Sequence, residues 1–199
     1  MTAAPACQAG AVEGSERVLT ERLELRRRAE GDLEEVHALL ADPGVWEHLP
    51  SGRHVLAQQA RVVLARWQQG SDGHGLGSWV ARGRRGEDAG LPLGVGGCDV
   101  RHDVVEDLGS RSHRRAGGRG LAQELITAAR GAAAAADPER PVVAHLLEHH
   151  GGSRRAAGRA GLEQVWRGPD ARTPDPAAVR LVYAGRPVPE DALAVLVRS

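Results

Sequence analysis

The stretch RRAGGRGLAQEL, residues 114–125, joins a glycine-rich turn to the start of a helix. Gly117, Gly118 and Gly120 stand within four positions and permit backbone turns that residues with a side chain adopt less readily. Apolar residues at helical spacing follow until Asp137-Pro138, which predicts a helix after the turn. The N-terminus of a helix presents free amides and the positive end of its dipole. The junction therefore predicts a phosphate or pyrophosphate site formed mostly by the backbone.

The same residues exclude two common phosphate-binding motifs. A nucleotide P-loop needs Gly-Lys-Ser/Thr, and the chain contains no lysine. A dinucleotide fingerprint needs Gly-x-Gly-x-x-Gly after a first strand, with an acidic residue about twenty positions later. Here Gly118-x-Gly120 is followed by Gln123 and lies in the middle of the chain. The ligand is therefore expected to be a different phosphate compound, with Arg115 and Arg119 as cationic donors beside it.

Residues 115–120, Arg-Ala-Gly-Gly-Arg-Gly, resemble the acyl-CoA loop of the GNAT N-acetyltransferase superfamily, Arg/Gln-x-x-Gly-x-Gly/Ala. One register later, residues 118–124 are similar to the common Gly-Arg-Gly-Leu-Ala-x-Glu form of that loop. The two registers place the leading Arg/Gln position on Arg115 or on Gly117, and the sequence leaves both open. A flexible Gly/Arg loop before a helix is the alternative interpretation. The resemblance implies acetyl-CoA as the ligand.

The composition is that of one globular domain of 199 residues. It carries 26 acidic and 26 basic side chains, so the net charge of zero does not favour nucleic acid or a membrane as partner. The sequence shows no apolar run of membrane-spanning length and no signal-peptide pattern. Its two cysteines, Cys7 and Cys98, do not suggest a disulfide framework. These features predict a cytoplasmic protein.

The hydrophobic pattern predicts alternating strands and helices after a disordered segment, residues 1–17. Strands are expected at about 18–26, 75–82, 93–100, 104–113, 141–147, 162–167 and 179–184. Helices are expected at about 32–41, 55–69, 121–136 and 153–160. This order, and the opening phrase Leu-Thr-Glu-Arg-Leu-Glu-Leu-Arg at residues 19–26, resemble the ribosomal-protein N-terminal acetyltransferase branch of the GNATs.

The resemblance implies an α/β fold: a mixed, mostly antiparallel sheet with helices on both faces and a central parallel strand pair splayed for CoA. The acetyltransferase domain is expected to span residues 18–187, with residues 188–199 as a short C-terminal tail. In the family, the pantetheine arm binds main-chain groups in the splay as though it were an added strand. The corresponding segments are about 110–114, which includes Ser112, and 144–147.

The resemblance also implies where the diphosphate binds. The amides of the segment from Gly117 to Ala122 are expected to hold it, with Arg115 or Arg119 as charge-assisted partners. The residues expected to bind the cofactor are therefore Ser112, Arg115, Gly117, Gly118, Arg119, Gly120, Leu121, Ala122 and His150.

His150 and Ser153 occupy a segment that resembles the family's Asn-x-x-Ser, with His150 in place of the asparagine. The resemblance implies that the Ser153 hydroxyl lies near the CoA sulfur and protonates the departing thiolate. The alternative is that Ser153 is only the N-cap of the following helix. The tyrosine that many GNATs use as the acid is absent, because Ala157 stands at its position.

The general base is expected on the strand before the loop. Glu106 is the chosen candidate, with Asp107 and the more distant Glu21 as alternatives, and a solvated charged turn as the non-catalytic interpretation. Histidines cluster around His149, but their spacing does not match a tetrahedral metal site, so no metal is expected.

The sequence as a whole predicts an acetyl-CoA-dependent N-acetyltransferase acting on a primary amine, either a protein N-terminus or a small molecule, as a monomer or homodimer. One departure from the resemblance is the segment 104–117, which contains no aromatic residue and is polar in its second half. It favours an alternative, a CoA-binding or interaction protein of the same fold without turnover. A phosphate- or nucleic-acid-binding module with arginine-rich turns is the second alternative, which the neutral charge disfavours.

Overall fold

A computed structural model of the protein describes residues 17–198. The segment predicted to be disordered therefore lies, apart from Arg17, outside the described residues. The strands are β1 Arg17–Leu19, β2 Leu23–Arg26, β3 Ser78–Gly83, β4 Pro92–Arg101, β5 Val105–Ser112, β6 Val142–Leu147, β7 Glu163–Pro169 and β8 Val179–Ala184. The helices are α1 Leu33–Ala41, α2 Ala57–His74, α3 Leu121–Ala136, α4 Gly151–Arg159 and α5 Glu190–Arg198.

The eight strands form one sheet in the order β1-β2-β3-β4-β5-β6-β8-β7. Every neighbouring pair is antiparallel except β5 and β6 in the centre. These two parallel strands pair only at Glu106 with Val142 and at Asp107 with Val143, and then diverge. The predicted α/β fold, with its mostly antiparallel sheet and splayed central pair, is confirmed.

The helices cover both faces of the sheet. On one face, α3 and α4 pack with Leu108, Leu125 and other apolar residues. On the other face, α1 and α2 pack through Leu39, Leu64 and Trp67 against Val80 of β3 and its neighbours. None of the helices within residues 17–198 is long and apolar enough to cross a membrane.

The segment expected to be a C-terminal tail contains the helix α5. Leu196 of α5 is 1% exposed and packs with Val105, Val143 and Val182 of the central strands. Apolar residues at 192, 193, 196 and 197 follow helical spacing, so the signal for an amphipathic helix was present in the sequence.

The opening strand predicted at about 18–26 is a hairpin of two strands, because residues 20–22 turn the chain back. Thr20 Oγ1 donates to Glu124 Oε1 at 2.5 Å, and the amide of Arg22 donates to the same oxygen at 2.7 Å. Burial alone would raise the pKa of Glu124, but these hydrogen bonds and the Arg22 guanidinium hold it below its usual value. The hairpin therefore fixes the first turn of α3 in place.

Candidate active site

A cleft of about 600 Å³ opens where β5 and β6 diverge. Its walls are the second half of β5, the end of β6, the N-terminal turns of α3 and α4, and the segment 44–49 after α1. The polar residues of β5 that departed from the family pattern face this cleft, and they still pair with β4, from Ser110 with Gly96 to Ser112 with Gly94. Their polarity is therefore compatible with the fold, because it is not buried in the core.

The loop before α3 presents a row of free amides to the cleft. Gly118 and Gly120 have φ values of 72° and 78°, in the left-handed region that favours glycine, and Gly120 is the N-cap of α3. The first helical hydrogen bond runs from the Glu124 amide to the Gly120 carbonyl at 3.1 Å. Within residues 17–198, no acceptor engages the amides of residues 118–123. Free amides at a helix N-terminus are suited to bind a phosphate or diphosphate.

The side chains of this loop are arranged differently from the expectation. Arg119 is held by Asp88 at 2.5 Å, and Arg115 donates to the Pro92 carbonyl at 2.6 Å, so neither side chain lines the cleft. The Leu121 side chain is buried in the core beneath α3, which leaves only its amide available. Glycines 117, 118 and 120, Ala122, Ser112 and His150 do line the cleft. The arginines that line it on α4 are Arg155 and Arg159, which are not among the residues expected from the sequence to bind the cofactor.

Ser153 lies in the first turn of α4, and its side chain faces the cleft. Its Oγ is 2.6 Å from Nδ1 of His150. His150 is the N-cap of α4, and no side-chain cap hydrogen bond is present, so the interpretation of Ser153 as an N-cap is wrong. The hydroxyl is bonded to an imidazole instead.

His150 is stacked on His48, which comes from the loop after α1, with ring centroids 3.9 Å apart and an interplanar angle of 7°. Burial, together with the nearby His150 and Arg111, lowers the pKa of His48 to about 4. Burial and the charge of Arg111 also lower the pKa of His150. Both imidazoles are therefore neutral at neutral pH, and His150 can exchange a proton with Ser153.

Glu106, the predicted base, does not line the cleft. Its side chain is 0% exposed on the α3 side of the sheet, and neither carboxylate oxygen has a hydrogen-bond partner among residues 17–198. Arg140 is the nearest cation, at 3.9 Å. Burial raises the pKa of Glu106 from 4.5 to about 7, an effect that Arg140 only partly offsets. This position disfavours Glu106 as the base, because a base must reach the proton that it removes.

We expect Glu106→Gln to stabilise the protein more at about pH 8 than at about pH 5. Between pH 4.5 and about 7 the folded state binds more protons at Glu106 than the unfolded state does, so this group lowers stability as the pH rises through that window. Glutamine removes the effect. Urea unfolding at both pH values measures it, with Glu139→Gln at an exposed carboxylate as control. An equal change at both pH values would contradict a neutral buried Glu106.

Asp107, the alternative base, points to the opposite face of β5 and contacts a histidine of β6. His145 Nδ1 lies 3.1 Å from Asp107 Oδ1, and His145 lines the cleft. Burial would raise the pKa of Asp107, but the hydrogen bond and charge of His145, with Arg101 nearby, lower it. The other ring nitrogen, Nε2, is buried and has no hydrogen-bond partner within residues 17–198. Glu21, the third candidate, is exposed in the β1–β2 turn.

The sequence interpretation missed two residues at this site, His145 and Arg111. His145 belongs to the histidine cluster around His149, and Arg111 to the polar half of the segment 104–117, and the sequence pattern assigned neither of them a role. Alternation from Asp107 places Arg111 on the same face of β5, where its guanidinium carbon lies 4.7 Å from the ring centroid of Trp46. Within residues 17–198, no three side chains of His, Cys, Asp or Glu are grouped to hold a metal ion.

The family model of the acetyltransferase (GNAT) domain matches residues 22–163, well over half of the chain. Among solved structures, a GnaT-family acetyltransferase of Bordetella pertussis is similar with a TM-score of 0.71 and 18% identity, over 86% of this chain and 100% of that one. An acetyltransferase of Agrobacterium tumefaciens gives a TM-score of 0.68 and 23% identity, over 91% of this chain and 100% of that one.

A third similar structure is RimL, a ribosomal L7/L12 alpha-N-protein acetyltransferase in complex with coenzyme A. It has a TM-score of 0.68 and 16% identity, over 85% of this chain and 96% of that one. The curated proteins contain no match to the sequence. At these identities the solved structures support the fold, and the family model supports the family.

Proposed function

Because the chain belongs to the GNAT acetyltransferase family, we propose that it transfers an acetyl group from acetyl-CoA to a primary amine, on a protein N-terminus or a small molecule. Membership of this family makes the protein an acyltransferase of the GNAT fold. The observation that supports acetyl-CoA is the row of free amides at residues 118–123, at the mouth of the cleft between two diverging parallel strands. Two left-handed glycines hold this row open.

The residues fit acetyl-CoA at both ends of the cleft. The amides of the loop would hold the diphosphate, with Arg155 and Arg159 as the cations on the facing helix. The diverging main chain of β5 around Ser112 would hold the pantetheine arm. Acetyl-CoA supplies the acetyl group as a thioester, and CoA leaves as a thiol after the transfer.

The side chains in the cleft can move the two protons of this reaction. Ser153 Oγ–H would donate a proton to the departing thiolate and would regain one from solvent, while the neutral His150 ring, hydrogen-bonded to Oγ through Nδ1, orients the hydroxyl. When His145 Nδ1–H donates to Asp107, the lone pair of His145 Nε2 has no competing hydrogen bond, and it would accept the proton of the attacking amine once the bound acceptor or a water reaches this buried atom at the wall of the cleft. This pair replaces Glu106 as the proposed base.

We expect acetyl-CoA to raise the melting temperature of the protein, because a ligand that binds only the folded state stabilises it by about 2.7 kcal/mol at a hundredfold excess over Kd. Gly120→Val should abolish this shift, since a β-branched residue is strained at φ 78° and would displace the loop that presents the amides. Gly131→Ala, in an open position on α3, is the matched control and should keep the shift. A full shift with Gly120→Val would mean that the diphosphate binds elsewhere.

Release of free thiol on adding amines or N-terminal peptides tests the catalytic part of the proposal. Turnover with any primary amine supports an N-acetyltransferase. A normal acetyl-CoA shift without thiol release from the whole panel would favour the alternative, a CoA-binding protein without turnover.

A further inference from the structure

The guanidinium of Arg111 lies in the cleft without a carboxylate partner. Its Nη1 donates to the Ser110 carbonyl at 2.8 Å, and its carbon stacks over Trp46. Its Nε is buried without a hydrogen-bond partner, and no Asp or Glu within residues 17–198 lies within ion-pair distance. A buried arginine donor without an acceptor is costly, which indicates that an acceptor is missing from this place.

The groups around Arg111 do not neutralise its charge. His48, His54 and His150 face it, and its charge contributes, after burial, to lowering the pKa of each of them. Asp107, on the same face of β5, is engaged by His145 at 3.1 Å and by Arg101 at 3.4 Å. Arginine remains charged even where burial lowers its pKa, an effect that the charge of Asp107 only partly offsets, so this end of the cleft carries an excess of positive charge.

Arg111 faces the opposite side of the sheet from the loop helix. Leu108, three positions earlier, packs in the core under α3, whereas Arg111 packs on Trp46 beside α1 and α2. The diphosphate site proposed above lies at the N-terminus of α3. Arg111 therefore lies on the side from which an acceptor would approach His145, away from the amides of the loop.

Building on the proposed acetyl transfer, we propose that Arg111 is an anion subsite for the acceptor, and that the acceptor is a primary amine bearing a carboxylate. Because Nη1 is used by Ser110 and Nε is buried, Nη2 is the donor that remains for a carboxylate oxygen of the acceptor. The flat face of Trp46 fixes the plane of the guanidinium and hence the direction of Nη2.

The carboxylate has two chemical sources, the α-carboxylate of a free amino acid or an acidic side chain near the N-terminus of a peptide. The test compares alanine with alaninamide, and a peptide beginning Ser-Glu with the same peptide beginning Ser-Gln. Thiol release gives kcat/KM for each, in the wild type and in Arg111→Gln and Arg111→Lys. The exposed Arg53, which donates only to the Ala41 carbonyl, provides the control Arg53→Gln.

We expect the wild type to favour the carboxylate member of one pair by about ten- to a hundredfold, as a charge-assisted hydrogen bond implies. Arg111→Gln should bring that ratio close to one, Arg111→Lys should restore part of it, and Arg53→Gln should keep it. The pair that shows the preference identifies the source of the carboxylate. Equal efficiencies in both pairs with the wild type would overturn the subsite.

Binding supplies a second readout that does not need turnover. Calorimetry on the CoA-saturated protein should show that N-acetylalanine binds more tightly than N-acetylalaninamide, or that the N-acetylated Ser-Glu peptide binds more tightly than the N-acetylated Ser-Gln peptide. Arg111→Gln should remove this difference. If Arg111→Gln instead weakens acetyl-CoA itself, the arginine serves the cofactor and the proposal is wrong. If acetyl-CoA gives no thermal shift with the wild type, the proposed function fails first, which is a distinguishable result.

Discussion

Ser153→Ala is expected to lower turnover about a hundredfold or more at saturating acetyl-CoA, because a positioned general acid contributes that much. The structure strengthens this expectation, since the hydroxyl lines the cleft and bonds to the His150 imidazole rather than to a helix amide. Stability should fall by only about 0.5–1.5 kcal/mol, the net value of one hydrogen bond. Thiol release and urea unfolding measure the two effects separately.

Two variants distinguish loss of the acid from a structural disturbance. Ser153→Thr retains a hydroxyl and should recover much of the turnover. Thr127→Ala, which removes an exposed hydroxyl on α3 that bonds only to the Gln123 carbonyl, should leave turnover unchanged. The acetyl-CoA thermal shift must be similar in all three variants, because lost binding would imitate lost chemistry. Wild-type turnover by Ser153→Ala would remove Ser153 from the reaction.

The features predicted correctly from the sequence are the local ones. The glycine turn at 117–120 and the helix after it follow from neighbouring residues, and so does the buried strand β6. The alternation of β5 indicated that Glu106 and Asp107 point to opposite faces, but not which face holds the cleft. Which face lines the cleft depends on where β6 diverges from β5. This is a long-range feature of the fold, and the periodicity of a single strand does not predict it.

Contacts between distant segments explain the remaining differences. Thr20 and Arg22 form a turn because they bind Glu124, about a hundred positions later. His48 meets His150 only through the packing of the loop after α1 on α4. Arg119 was expected at the diphosphate by proximity in sequence, but Asp88, from the β3–β4 connection, holds it away. Charged side chains select such partners after the fold has formed, so sequence position alone does not predict them.

His145→Gln and Asp107→Asn are each expected to lower kcat by about 10²- to 10⁴-fold, the usual contribution of a general base. Asp107 accepts from His145 Nδ1–H and leaves the lone pair on Nε2, a buried atom without a hydrogen-bond partner within residues 17–198, on a residue that lines the cleft. Asparagine can donate to Nδ1 instead, which would place the ring proton on Nε2 and block proton acceptance there. The double variant should therefore be little worse than either single one, because both remove the same function.

The surface pair His74 and Asp103, 3.8 Å apart, provides a matched control, and His74→Gln should leave kcat unchanged. The pH profile separates a base from a merely structural pair. Loss of the base should flatten the rise of kcat/KM with pH, whereas structural damage would lower the whole profile without changing its shape. Full acetyl-CoA shifts in both variants would establish that the cofactor still binds. A wild-type profile in His145→Gln would exclude His145 and Asp107 as the base.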